Sequence, residues 1–268
     1  MSLSSDKWVA GDAYDRFMGR WSRKVAEQFL EWLDPAPRAH WLEVGCGTGA
    51  LTEAICGSAQ PSSIVACDPS PGFISFAESR LGRCPATFLV VDADDLPRRE
   101  GGFDFVVSGL VLNFLVQPAI AVGSMRQRTR IGGKVAAYVW DYSEGMEFLR
   151  VFWEEAIELD PSASHLAERH RFPFCRPDPL TELFAQAGLA EVEVRPFEFP
   201  FIFHDFHDYW APFLGGTGPA PSYVASLDTQ GRTALMNRLK KRLVPASDGT
   251  IRLGARAFGV RGLVANRQ

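Results

Sequence analysis

The sequence predicts an α/β fold, a doubly wound and mostly parallel sheet with helices on both faces. Three observations carry this expectation. Five short apolar runs alternate with helical patterns between residues 40 and 140, the rhythm of parallel strands joined by crossover helices. The runs are almost continuously apolar, as strands buried on both faces must be. The first of them, Trp41-Leu-Glu-Val44, enters the glycine-rich turn Gly45-Cys-Gly-Thr-Gly49, and helical periodicity follows. Glycine tolerates positive φ and lets a ligand approach the backbone closely, so three in five residues mark a cradle.

Taken in order, Tyr14, Met18, Trp21, Val25 and Phe29 recur at helical spacing and predict an amphipathic helix ending near Asp34-Pro-Ala-Pro37. Strands are expected at His40–Val44, Ile64–Cys67, Thr87–Val91, Phe103–Ser108 and Lys134–Trp140, with helices over Ala50–Cys56, Phe73–Leu81 and Ala119–Arg130. Beyond Trp140 the rhythm changes. Glu147–Leu159 reads as a helix, Ser162–Pro179 as a loop-rich stretch, and Leu180–Ala187 as a helix closed by Gly188. Glu191–Phe203 alternates polar and apolar residues like a half-buried strand. Asp205–Val244 reads as a helical insertion interrupted by the turn-rich Gly215-Gly-Thr-Gly-Pro-Ala-Pro221, and Ala255–Val264 as a last strand pairing with Glu191–Phe203.

Composition excludes several classes. With 268 residues, 22% charged and 46% hydrophobic, the chain has an ordinary globular profile. A net charge of −4 leaves no electrostatic footprint for nucleic acid or an anionic membrane. The longest apolar run, Phe105 to Val116, is broken by Ser108, Gly109 and Asn113 and is shorter than the ~20 residues of a membrane span. Asp6, Lys7, Asp12 and Asp15 argue against a signal peptide. Cysteines 46, 56, 67, 84 and 175 form no CxxC pair. Their odd count argues against a disulfide framework, so reduced, mostly buried thiols in a cytoplasm are expected.

The glycine turn itself admits more than one ligand. A phosphate-cradling P-loop needs a lysine after its glycines, and none follows here. A nicotinamide fingerprint is satisfied by Gly45, Gly47 and Ala50, and Asp68 stands at the next strand end at the spacing of a ribose contact. On the loop alone, a dinucleotide stays open.

The surrounding residues add a resemblance. Glu43-Val-Gly-Cys-Gly-Thr-Gly49 resembles motif I of class I S-adenosylmethionine-dependent methyltransferases, an acidic residue followed by Gly-x-Gly-x-Gly. Cys67-Asp68-Pro69-Ser70 resembles the family's second-strand end, where Asp68 matches the acid that holds both ribose hydroxyls. Val91-Asp92-Ala93-Asp94-Asp95-Leu96-Pro97 resembles the third-strand end, with Asp92 matching the acceptor of the adenine amino group. Phe103–Ser108 and Ile131-Gly-Gly-Lys-Val135 match the fourth strand and the turn before the fifth. The resemblance implies a Rossmann-like, mostly parallel seven-stranded sheet with an antiparallel C-terminal hairpin. It implies cofactor contacts from Glu43, Gly45, Cys46, Gly47, Gly49, Asp68, Pro69, Asp92, Ala93 and Ser108. The chemistry agrees: S-adenosylmethionine has no phosphate to require a lysine, and its ammonium favours a carboxylate such as Glu43. Two ribose hydroxyls on Asp68 would make charge-assisted hydrogen bonds. An NAD(P)-dependent oxidoreductase and a non-catalytic cofactor-binding protein are the alternatives. Asp94 and Asp95 read as a solvated turn, and Cys46 and Cys67 as small buried fillers rather than nucleophiles.

In related methyltransferases an N-terminal helix closes over the cofactor, which makes residues 1–37 a lid and Tyr14 a cofactor contact, with Trp21 expected to pack on the sheet instead. Residues 38–203 and 251–268 form the core of a single domain, and 204–250 the helical insertion over the acceptor site. His204 and His207 are candidates for a general base, with surface capping as the alternative. Two histidines without a third ligand do not make a metal site. Arg238-Leu-Lys-Lys-Arg-Leu243 reads as a solvated face. An Asn-Pro-Pro-Tyr tetrad is missing after the fourth strand, where Ser108-Gly-Leu-Val111 stands, which counts against methylation at an exocyclic amine of a nucleobase. The expected reaction is in-line transfer of a methyl group to a small organic acceptor.

Overall fold

Apolar runs between crossover helices bury both faces only when helices cover a sheet from each side, and the chain adopts that arrangement in a computed structural model that describes residues 18–215 and 218–266. Helix α1 (Arg20–Leu33) leads into β1 (His40–Val44), α2 (Ala50–Ser58), β2 (Ser63–Asp68), α3 (Pro71–Leu81), β3 (Ala86–Val90), β4 (Phe103–Gly109), α4 (Pro118–Arg128) and β5 (Thr129–Trp140). There follow α5 (Glu147–Leu159), α6 (Pro177–Gln186), β6 (Ala190–Phe203), α7 (Pro219–Ser226), α8 (Thr229–Arg242) and β7 (Ile251–Leu263). The seven strands lie in the order β3-β2-β1-β4-β5-β7-β6. The first five pair in parallel, and β7 runs antiparallel between β5 and β6. This is the Rossmann-like sheet that the sequence predicts.

Three local departures have physical causes. Helix α4 stops at Arg128 rather than Arg130, and β5 begins at Thr129 because that residue pairs with Phe103. The register shifts between Phe103 and Phe105, and Gly133 allows the close approach: a Cβ there would lie 2.8 Å from the Asp104 carbonyl oxygen. Pro219 and Pro221, expected in a turn, instead open α7. Proline suits a helix start, where its missing N–H is no loss. The same effect starts α6 at Pro177.

The expectation of uniformly reduced thiols is also corrected. Cys56, near the end of α2, and Cys84, before β3, form a disulfide with Cα atoms 5.9 Å apart, while Cys46, Cys67 and Cys175 are free and buried.

Helix α1 packs on the sheet as its apolar stripe requires. Trp21 stacks on Phe201 of β6 at 4.2 Å between ring centroids, and Arg20 binds Asp208 at 3.1 Å. The insertion folds onto α5 through an aromatic cluster in which Phe152 and Phe213 stack at 4.4 Å. No helix among the described residues is long and apolar enough to cross a membrane.

Candidate active site

In an open α/β sheet, ligands sit outside the carboxyl ends of the strands where the strand order reverses. Here that point lies between β1 and its neighbours β2 and β4, and a cleft opens there. The glycine turn forms its floor. Gly45 and Cys46 both donate their N–H groups to the Cys67 carbonyl, at 2.7 and 2.9 Å, which pins the turn to the end of β2. Gly45, Gly47 and Gly49 have φ of 75°, 52° and 84°, the left-handed region that side chains disfavour. A Cβ at Gly45 would lie 2.5 Å from Val111, whereas one at Gly47 would meet nothing within 4 Å. Gly47 therefore bares its backbone to the cleft.

Two acidic residues flank the turn. Asp68 is 7% exposed; its Oδ2 accepts the Gly47 N–H at 3.0 Å and its Oδ1 the Ser70 N–H at 2.9 Å. Burial raises its carboxyl above the usual range, and the two backbone donors oppose that rise. Glu43 is 1% exposed and accepts a 2.5 Å hydrogen bond from the Thr52 hydroxyl. Burial pushes its carboxyl up to about 8, with the Asp68 charge adding to the rise and Thr52 opposing it. A cation placed beside Glu43 would relieve that cost.

The cleft brings together most of the expected cofactor contacts. Glu43, Gly45, Cys46, Gly47, Asp68, Pro69, Asp92 and Ala93 all line it. Gly49 instead caps α2, its missing Cβ making room for Leu81, to which a Cβ would come within 2.7 Å. Ser108 is fully buried and spends its hydroxyl on the Val44 carbonyl at 2.8 Å; it ties β4 to β1 rather than facing a ligand. Tyr14 lies outside the described residues. His204 and His207 are exposed on the segment after β6, and the described lining residues all fall between Ser22 and Tyr138. Among the described residues no cluster of three or more His, Cys, Asp or Glu is placed to hold a metal.

The structure also adds lining residues beyond those expected. Asp94 belongs to the cleft as well as to the solvated turn, and Ser22, Leu110, Val111, Phe114 and Tyr138 complete its walls. Thr48 is buried on the floor, and its hydroxyl has no hydrogen-bond partner among the described residues. The described lining carries four carboxylates, Glu43, Asp68, Asp92 and Asp94, and neither lysine nor arginine. That set suits a cationic, hydroxyl-bearing ligand, whose ammonium would draw the proton off Glu43, and offers a pyrophosphate no cationic partner among the described residues.

Comparison with known proteins agrees with this geometry. The family model of a methyltransferase domain matches residues 42–137. The malonyl-[acyl-carrier protein] O-methyltransferase of Anoxybacillus flavithermus is 31% identical over 120 residues, 44% of this chain and 45% of that protein. The enzyme of the same name from Geobacter sulfurreducens is 30% identical over 185 residues, 68% of this chain and 67% of that protein. The chain belongs to the class I S-adenosylmethionine-dependent methyltransferases.

The chain spans about half to two thirds of those relatives' length. Its fold also matches the Haemonchus contortus phosphoethanolamine N-methyltransferase 2 solved with S-adenosyl-L-methionine. The TM-score is 0.59 at 14% identity, covering 96% of this chain and 57% of that one. The wall residues that the sequence did not reveal have few local signals. Val111 is implied only by its contact with Gly45. Leu110 takes a left-handed φ of 61° with its side chain buried, a conformation that nothing in its residue type announces.

Proposed function

We propose that the cleft binds S-adenosylmethionine and aligns a small organic acceptor for in-line methyl transfer. The observation that carries this reading is the lining itself, four acidic side chains and, among the described residues, no cationic one around the open glycine turn. When bound, the cofactor supplies an electrophilic methyl group on a sulfonium. Asp68, already oriented by Gly47 and Ser70, accepts from the ribose hydroxyls; Glu43 faces the ammonium; Asp92 accepts from the adenine amino group. Gly45, Cys46, Gly47, Pro69 and Ala93 contribute close-approaching backbone and apolar walls.

Alignment and exclusion of water do most of the work in such a reaction, since well-oriented intramolecular reactions reach effective molarities of ~10⁵–10⁸ M. In this proposal α1 closes over the cofactor, with Ser22 in the cleft wall, and the helical segment after β6 roofs the acceptor. The Arg20–Asp208 ion pair, which joins the two regions, supports it. Kinship with malonyl-[acyl-carrier protein] O-methyltransferases supports an acceptor that offers oxygen.

The test uses S-adenosylmethionine carrying a tritiated methyl group, incubated with the protein and a panel of carboxylates, thioesters, phenols, amines and thiols. Label is expected in an ester or ether. Transfer to nitrogen or sulfur alone would overturn the oxygen assignment, and label retained on the donor across the panel would count against transfer itself.

A further inference from the structure

The disulfide connects to the floor of the cleft from two sides. Cys84 donates its N–H to the Leu81 carbonyl at 2.8 Å, and Leu81 is the residue whose side chain fills the space beside Gly49. On the other side, Cys56 sits in α2, the helix that Gly49 caps and whose first residues, Ala50 and Leu51, line the cleft. An ion pair between Glu53 and Arg80 joins the same two helices. The segment enclosed between Cys56 and Cys84 is 28 residues in sequence separation and contains Asp68.

We propose that Cys56 and Cys84 form a reversible disulfide that sets how firmly the glycine turn is held and so tunes affinity for the adenosyl cofactor. The pair is suited to exchange, for both cysteines are only partly buried and their Cα separation is within the ordinary range for a bridge. The other thiols near the cleft are poor competitors. Burial holds Cys46 well above its usual range and pushes Cys67 up to about 12, with Glu43 and Asp68 adding to both, so neither supplies a thiolate at neutral pH.

The oxidant is a low-molecular-weight disulfide such as glutathione disulfide. Thiol–disulfide exchange takes two electrons and two protons from Cys56 and Cys84, forms their S–S bond, and breaks that of glutathione disulfide to give two glutathione thiols. In the bridged form α2 and the turn after α3 are tied, and Leu81 stays against Gly49. In the dithiol form that restraint is lost.

The inference rests on the cofactor reading of the cleft, and the experiment separates the two. The full chain is equilibrated with oxidised or reduced glutathione, and its thiols are counted by maleimide mass shift after denaturation. Adenosylhomocysteine affinity is measured by calorimetry, and amide exchange is followed over residues 47–53 in the ligand-free protein. The oxidised form is expected to show three thiols and the reduced form five. Affinity is expected to fall about fivefold or more on reduction, at the lower end of ordinary coupling between sites, with faster exchange over the turn. The doubly substituted C56S/C84S protein is expected to match the reduced form in both buffers. Five thiols after oxidation, or the same affinity and exchange in both forms, would overturn the switch. Failure of both forms to bind adenosylhomocysteine would overturn the cofactor reading instead and leave the exchange rates to decide the switch.

Discussion

Glu43→Gln isolates the cost of ionising a carboxyl that the fold holds up to about 8 against an ordinary 4.5. Between those two values the native state keeps a proton that the unfolded chain has already released. The contribution of Glu43 to stability is therefore greatest below pH 4.5, falls as pH rises through the window, and levels off above about 8. The span of about 3.5 pH units, at about 1.36 kcal/mol each, amounts to roughly 5 kcal/mol. Glutamine keeps an oxygen for the Thr52 hydroxyl and has no proton to lose, so the variant lacks this slope. Urea unfolding at pH 5.5 and 7.5, at matched ionic strength, reads the difference between the two proteins, from which the shared titrations cancel. Across those two pH units the unsubstituted protein should lose about 2.7 kcal/mol relative to Glu43→Gln. For a chain of this size that is about 5–11 °C in Tm. A difference that stays flat with pH would refute the buried, proton-holding Glu43. A bound ammonium should reverse the preference, so adenosylhomocysteine binding at pH 7 should release a proton in the unsubstituted protein and none in the variant.

Asp68→Asn retains the shape of the side chain but removes the charge from its hydrogen bonds. At about 1.5–3 kcal/mol for a bond to a charged group, adenosylhomocysteine affinity should fall at least tenfold by calorimetry. Gly45→Ala places a Cβ at φ 75° and 2.5 Å from Val111. The left-handed backbone costs about 1–2 kcal/mol and the clash about 1–3 kcal/mol. Adding Val111→Ala should recover the clash but not the backbone cost in chemical denaturation. Asp141 is fully buried and is held below the usual carboxylate range despite its burial, by Ser143 and by Arg256, which reaches Oδ2 at 2.6 and 2.8 Å. Arg256→Met should cost about 3–5 kcal/mol at pH 7 by leaving that charge unpaired. The loss should shrink in acid, as protonation removes the Asp141 charge.

The floor of the candidate cleft was legible because its chemistry is local. Glu43, the glycine turn, Asp68 and Asp92 each stand at the end of a strand, where backbone geometry alone places them on the cleft. Ser108 shares that position in sequence yet turns its hydroxyl to the Val44 carbonyl, a choice between two faces that alternation along a strand does not settle. The strands β1, β2 and β4 were legible because burial on both faces makes them nearly continuously apolar. The start of β5 was not, since Thr129 joins the sheet through a register shift opposite Phe103. Prolines at 177 and 219 signalled turns in the sequence but serve as first-turn residues of helices. The Cys56–Cys84 bridge was invisible for a different reason. It depends on α2 and the approach to β3 lying side by side, and no spacing rule reports that.

Calorimetric titration of the full chain with adenosylhomocysteine and with NADH tests the assignment of the cleft most directly. Saturable one-to-one binding of adenosylhomocysteine, with no heat from NADH, is the expected result. Binding of NADH without adenosylhomocysteine would contradict it.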